Sequence, residues 1–286
     1  MIYLPSQPIK YPEDNPVGLR HPMERGMLYR NVSTITQDNV TLRGWFMFQK
    51  EDSVNKPTVV FLHENAGNLG LRLSYFQMQY KELGVNILAF AYRGYTYSEG
   101  YPNEQGLQKD AHAIVDFIQN SPLIDKSQLI LQGRSLGGAV AIYMASQYPT
   151  LFRGMIVENT FTSMGDMVDH LLFFAKHVKQ FILKNHWTSE DLVGDIQIPM
   201  FYVTGDQDEL VPFEQTQVLY QLSRKAKFKN IHVVKDGTHN DTWYVGGAEY
   251  IYRLEKFIFK ALKTVVEFES ISQQEKISSS QQAEDL

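Results

Sequence analysis

The chain has 286 residues, of which 43% are hydrophobic and 13% aromatic, enough to fill a sizeable core and too apolar for general disorder. A formal net charge of -5 with no prominent Lys/Arg cluster leaves no electrostatic footprint for nucleic acid. The absence of cysteine excludes disulfides, thiolate metal sites and a cysteine nucleophile.

In chain order, residues 1–25 are rich in Pro and polar side chains and read as an extended arm lying on a single domain over residues 26–266. Met1 to Ser6 shows no basic segment followed by a long apolar core, and no later window has the length of a bilayer span. The expectation is a soluble, cytoplasmic chain without signal peptide or transmembrane segment. Apolar runs predict strands at Val32–Thr36, Leu42–Phe48, Val59–Leu62, Ile87–Ala91, Leu129–Leu131, Met155–Val157, Phe201–Thr204 and Ile231–Val234. Helical spacing falls between most of them, at Leu71–Leu83, Glu104–Gln119, Leu136–Gln147, Phe213–Ser223 and Ala248–Lys263. A strand pair followed by repeated βα units predicts an α/β fold with a mostly parallel, doubly wound sheet and helices on both faces. The stretch from about 161 to 197 is too long for a bare loop and is expected to be a small helical cap insertion. From 267 to 286 the Ser/Gln/Glu-rich composition predicts a disordered polar tail.

Gly133-Arg134-Ser135-Leu136-Gly137-Gly138 is the most informative motif. A serine between two glycines in a strand-to-helix turn is the form of a nucleophile elbow, where crowding leaves no room for side chains on the flanking positions. By composition alone such a string recurs in roughly one chain in ten of this length, so context decides. Gln128 to Gln132 is a buried-strand run, and Ala139 to Ser146 is apolar and alanine-rich like a core helix. Ser135 is thereby expected at a strand's carboxyl end, over a helix N-terminus that favours developing negative charge. The plainer reading is a Gly-rich turn whose serine caps a helix.

A serine hydroxyl needs a base within hydrogen-bond reach and a third group to orient that base. Of eight histidines, His239 alone combines a late position with a loop leaving a predicted strand; His232 falls within a strand, and His112, His170, His177 and His186 in helical or cap-like segments. The loop Gly205 to Pro212 offers Asp206 and Asp208 as the acid. Each taken alone is an ordinary turn aspartate. Asp208 is favoured, because it lies further into the loop with Val211 and Pro212 folding the chain behind it. For an oxyanion hole, the N–H of Leu136 is the first expected donor and that of Asn65, in the loop His63 to Asn68, the second. His63 is read as a structural support of that loop. No metal and no cofactor is expected.

Several long strings extend the motif: Phe61 to Leu71, Tyr92-Arg93-Gly94-Tyr95 with Ser98-Glu99-Gly100, Gly133 to Ala141, Val157 to Phe161, and Asp236 to Trp243. Together they resemble the family of alpha/beta hydrolase domain-containing protein 13 and its bud-emergence-type relatives, over about Leu4 to Lys263. The resemblance implies an α/β-hydrolase fold, serine hydrolase chemistry with the acid on Asp208 and the base on His239, and acyl esters or protein-linked palmitoyl thioesters as substrates. One departure stands out: relatives often carry His-Gly-Asn where this chain has His63-Glu64-Asn65. A carboxylate aimed into an oxyanion hole would oppose the charge forming there, so Glu64 is expected to point away.

The expectation is therefore an esterase or acyl thioesterase, including a depalmitoylase acting on a lipidated protein. In the insertion, Leu171, Leu172, Phe173, Phe174, Val178, Phe181, Ile182 and Trp187 either line an acyl site or glue the cap to the body. Lys176, Lys179 and Lys184 suit a peripheral contact with anionic membrane and equally a solvated face. Two alternatives stand beside this reading. One is a peptidase of the same fold, using Asp166, Asp169 or Glu190 to bind a free N-terminus. The other is a non-enzymatic interaction module, which would be expected to have lost Ser, Asp or His.

Overall fold

A computed structural model describes residues 3–171 and 184–264. Eight strands, β1 (Tyr29–Ile35), β2 (Thr41–Met47), β3 (Thr58–Leu62), β4 (Asn86–Phe90), β5 (Leu129–Arg134), β6 (Gly154–Glu158), β7 (Met200–Gly205) and β8 (Lys229–Val234), form one sheet. Their order is β1-β2-β4-β3-β5-β6-β7-β8. β2 is antiparallel to both β1 and β4, and all pairs from β4 across to β8 are parallel. Every position of β3 to β7 is buried, as apolar runs covered on both faces require, whereas the edge strands β1 and β8 are partly exposed. This is the mostly parallel α/β-hydrolase architecture expected from the sequence.

The helices are α1 (Leu73–Met78), α2 (Glu104–Asn120), α3 (Leu136–Gln147), α4 (Met164–Leu171), α5 (Ser189–Val193), α6 (Phe213–Leu222), α7 (Thr242–Val245) and α8 (247–264). α3 is apolar nearly all round and is buried from Leu136 to Ile142, the environment such a sequence demands. The helix expected over Leu71–Leu83 is instead three pieces: a 3-10 turn at Leu69–Arg72, α1, and a π turn at Gln79–Leu83 that Gly84 ends at φ 63. Apolar spacing marks the buried face but does not distinguish these three hydrogen-bond patterns.

From β3 the chain goes to β4 on one side and then crosses over to β5 on the other. The loops after β3 and β5 therefore part at a switch point, the crevice where open α/β sheets bind ligands. Leu62 and Gly133 are partners in register, so His63 to Asn68 and the Ser135 turn start side by side.

Residues 3–25 are not extended throughout: Pro12–Asp14 and Pro22–Arg25 are single 3-10 turns opened by proline. Near the start, Leu4 bridges to Ala66, its N–H donating to Asn65 O at 2.8 Å. In the insertion between β6 and β7, α4 and α5 supply helices. The side chains from Leu171 to Ile182, with Lys176 and Lys179, lie outside the described residues, as does the 267–286 tail. Trp187 is buried; its indole N–H donates to Tyr3 Oη at 3.0 Å and its ring meets Tyr143 edge-on. That places Trp187 as glue between insertion and body, while Lys184 is exposed. No helix among the described residues is long and apolar enough to cross a membrane.

Candidate active site

The turn after β5 holds Ser135 at φ 52, ψ -120, a conformation costly for a residue with a side chain. Three glycines make it feasible. A Cβ on Gly133 would lie 2.0 Å from Gly137 O, one on Gly137 2.0 Å from Leu62 O, and one on Gly138 2.4 Å from Thr160 Oγ1. Two of these obstacles are backbone, so no side-chain movement relieves them. The turn is pinned from β6: Ser135 N–H donates to Glu158 O at 2.9 Å, and Thr160 Oγ1 donates to Ser135 O at 2.8 Å.

The structure brings Ser135, His239 and Asp208 together. His239 Nε2 is 3.0 Å from Ser135 Oγ, and His239 Nδ1 is 2.7 Å from Asp208 Oδ2. The Asp208 side chain is fully buried, and its Oδ1 accepts the N–H groups of Leu210 and Val211 at 2.9 and 2.8 Å. With both oxygens occupied, the carboxylate can only accept from the ring, so Nδ1 carries the proton and Nε2 faces the serine as an acceptor. The competing carboxylate, Asp206, turns elsewhere: its Oδ1 accepts Asp236 N–H at 2.7 Å and shapes the loop that carries the histidine. The two loops meet closely at Gly205, where a Cβ would sit 2.1 Å from Gly237 O.

Leu136 opens α3 directly after Ser135. Asn65 lies in the neighbouring loop, and its carbonyl accepts both Leu4 N–H and Tyr95 Oη–H, the latter at 2.7 Å. Those two bonds fix the peptide between Asn65 and Ala66. His63 serves the same loop. Its Nδ1–H donates to Glu64 O at 2.7 Å, its Nε2 accepts Tyr92 N–H at 3.1 Å, and Tyr92 and Tyr95 pack on its ring. Burial and then the nearby Arg72 charge push the imidazole down to about 3, so it stays neutral and does not act as a second base.

Glu64 does turn aside, and into a buried ionic cluster. Its carboxylate meets Arg72 Nε at 2.8 Å and Arg134 Nη1 at 3.4 Å. Burial alone would raise its pKa, but Arg72 and then Arg134 outweigh that and hold it at about 2. Arg72 also donates to the carbonyls of Asn68 and Ala66, folding the loop on itself.

Three supporting residues have no role that sequence reasoning assigned. Asn159, at φ 47, donates to His239 O at 2.9 Å and accepts Gly205 N–H at 3.0 Å, so it ties the histidine loop to the end of β7. Arg134 Nη2 donates to the same His239 carbonyl at 2.9 Å. Glu158, fully buried, accepts from Tyr250 Oη at 2.9 Å and from Thr242 Oγ1 beneath the site. The visible signal for Asn159 was an asparagine ending an apolar strand, a position where the left-handed region is tolerated. Among the alternatives for an N-terminus-binding carboxylate, Asp166 is engaged by Thr162 and Ser163 hydroxyls at 2.6 and 2.9 Å.

Comparison with known proteins agrees with this architecture. The model of the prolyl oligopeptidase family matches residues 73–264. Protein bem46 of Schizosaccharomyces pombe is 34% identical over 246 residues, covering 84% of this chain and 82% of that protein. The alpha/beta hydrolase domain-containing protein WAV2 of Arabidopsis thaliana is 34% identical, covering 80% and 78%. Among solved structures, the Pyrococcus furiosus esterase Pf2001 superposes with a TM-score of 0.70 at 21% identity, covering 91% of this chain and 98% of that one, a likeness of fold. With a family model over more than half its length and relatives 34% identical over about four-fifths of each chain, the chain belongs to the α/β-hydrolase family that includes bem46 and WAV2.

Proposed function

We propose that this hydrolase cleaves a carboxylic ester or thioester through an acyl-enzyme on Ser135. The observation that carries the reading is the continuous relay Ser135 Oγ, His239 Nε2, His239 Nδ1, Asp208 Oδ2, at 3.0 and 2.7 Å, on a serine held at positive φ. Ser135 Oγ attacks the acyl carbon as its proton passes to His239 Nε2. The imidazolium so formed is stabilised by Asp208, which stays ionised. The carbonyl oxygen, now carrying the charge, faces the N–H groups of Leu136 and Asn65, donors that need no reorganisation during the step. Collapse breaks the bond to the leaving alcohol or thiol, which takes the proton from His239. Water then repeats the sequence in reverse and releases the acid. The resemblance to bud-emergence-type relatives adds acyl esters and a protein-linked palmitoyl thioester as the substrates to try, with acyl length set by the competition below.

A peptidase is the second reading, favoured by the match to the prolyl oligopeptidase family model. The test is labelling with a fluorophosphonate, followed by competition with acyl esters, acyl thioesters and aminoacyl amides of graded length. Labelling lost in Ser135→Ala and blocked by long acyl thioesters supports the first reading. Blocking by aminoacyl amides alone would replace it with the second, and folded protein that does not label would overturn both.

A further inference from the structure

Arg134 stands immediately before the serine, yet nothing in the proposed chemistry uses it. Its side chain is 6% exposed, deep enough that an unpaired guanidinium would be strongly unfavourable. One end, Nη1, faces Glu64 Oε1 at 3.4 Å; the other, Nη2, donates to His239 O at 2.9 Å. Glu64 is itself fastened by Arg72 at 2.8 Å. One buried cation thus touches both the loop that presents Asn65 and the loop that presents His239. The two loops leave β3 and β8, which are far apart in the sheet order, and Arg134 at the end of β5 contacts both.

We infer that Arg134 is a positioning residue for His239, with Glu64 as its counter-ion, so that one buried ion pair couples the oxyanion-side loop to the loop of the base. The inference rests on the serine hydrolase reading. Its physical content is twofold. The hydrogen bond to His239 O, reinforced by the bond from Asn159, fixes the backbone from which the imidazole projects. The second is charge: Arg134 and Arg72 lie among the carboxylates Glu64 and Glu158, so removing one member of that set changes the net charge near the ring by one unit. Asp208 and Asp241 approach from the loops that carry the acid and the base, and the neutral hydroxyls of Tyr75 and Tyr250 lie around Glu158.

A purely structural ion pair and a positioning pair differ in what they do to the titration of His239. A unit charge within roughly 10 Å, through an effective dielectric of about 20, moves a neighbouring titration by about one unit. Glu64→Gln removes one negative charge from beside Arg134 and Arg72, disfavours the imidazolium, and should move the acidic limb of kcat/KM to lower pH. Arg134→Gln removes the cation and should move the same limb to higher pH. It should also lower kcat about 10- to 100-fold with KM nearly unchanged, the loss expected for one charge-assisted hydrogen bond that orients the base. Arg134→Lys keeps the charge and should leave the limb in place.

The experiment is a pH profile of a chromogenic acyl ester with the full chain, run on the wild type, the two single variants, Arg134→Lys and the double variant Glu64→Gln/Arg134→Gln. Limbs displaced in opposite directions by the single variants, and returned by the double variant, establish the inference. The double variant removes both charges, so it keeps the test open where a single variant does not fold. Limbs that stay at the wild-type pH while rates fall, or that move the same way, overturn it. A wild type that neither hydrolyses esters nor labels with fluorophosphonate overturns the hydrolase reading instead.

Discussion

Asp208→Asn, set beside Asp206→Asn, separates the two carboxylates that the sequence leaves in competition. Asp208 Oδ1 accepts two main-chain N–H groups, from Leu210 and Val211, and Oδ2 accepts His239 Nδ1–H. In the amide only the oxygen can meet the two main-chain donors, which turns its NH2 toward Nδ1. An NH2 group donates, so the ring must surrender its Nδ1 proton and carry one on Nε2, facing Ser135 Oγ, where no base is then left. The comparable wrong-tautomer change in characterised triads lowers kcat about 10⁴-fold, or roughly 5.5 kcal/mol of barrier. KM should change little, because the fully buried Asp208 side chain lies behind the ring. Asp206 only accepts Asp236 N–H at 2.7 Å, a bond that an amide oxygen keeps, so Asp206→Asn should stay within about 2-fold of wild type. The assay is kcat and KM on a chromogenic acyl ester, with a thermal melt to show that both variants fold. An Asp208→Asn enzyme that keeps a tenth or more of its kcat, or an Asp206→Asn enzyme that falls with it, would refute the assignment.

Ser135→Ala should abolish fluorophosphonate labelling and lower kcat by about a million-fold; measurable labelling in that variant would place the nucleophile elsewhere. Gly133→Ala drives a Cβ to 2.0 Å from a backbone oxygen, so it should cost at least about 3 kcal/mol, or roughly 6 to 12 °C in Tm. Gly84→Ala meets no atom within 4 Å but stays at φ 63, so about 1 to 2 kcal/mol is expected, and differential scanning calorimetry should rank the two in that order. Acid stability carries a signature of His63. The ring stays neutral in the fold down to about pH 3, whereas the unfolded chain takes up its proton below about 6.5, so the unfolded state binds more protons in that window and stability is lost as pH falls through it. Urea unfolding at pH 7 and pH 5 should show on the order of 2 kcal/mol more loss in wild type than in His63→Gln, which does not titrate; equal losses would mean the imidazole is protonated in the fold.

The strands were legible because a parallel sheet covered on both faces demands continuous apolar runs. All eight predicted runs fall on observed strands, with ends displaced by a few residues. The elbow was legible for a related reason: Gly133 and Gly137 are compelled by very short backbone contacts, and Gly138 by the close approach of the Thr160 side chain. The helix over Leu71–Leu83 was less so, since α, 3-10 and π turns bury similar faces. Trp187 illustrates another gap, because apolarity said that it is buried but not whether against acyl chain or protein; its bond to Tyr3 joins residues 184 positions apart.

By itself, then, the sequence determined the α/β pattern, the serine turn and the order of Ser135, the aspartate loop and His239 along the chain, because periodicity, glycine geometry and strand-end loops are local properties. Asp208 was favoured over Asp206 in the same loop, and the tertiary structure shows the contact itself, with Asp208 turned to His239 and Asp206 to the Asp236 main chain. Only the tertiary structure shows that the carboxylate of Glu64, beside Asn65, is paired with Arg72 and Arg134. Charge compensation of that kind depends on distances of a few ångströms between loops remote in sequence, and no spacing along the chain encodes them.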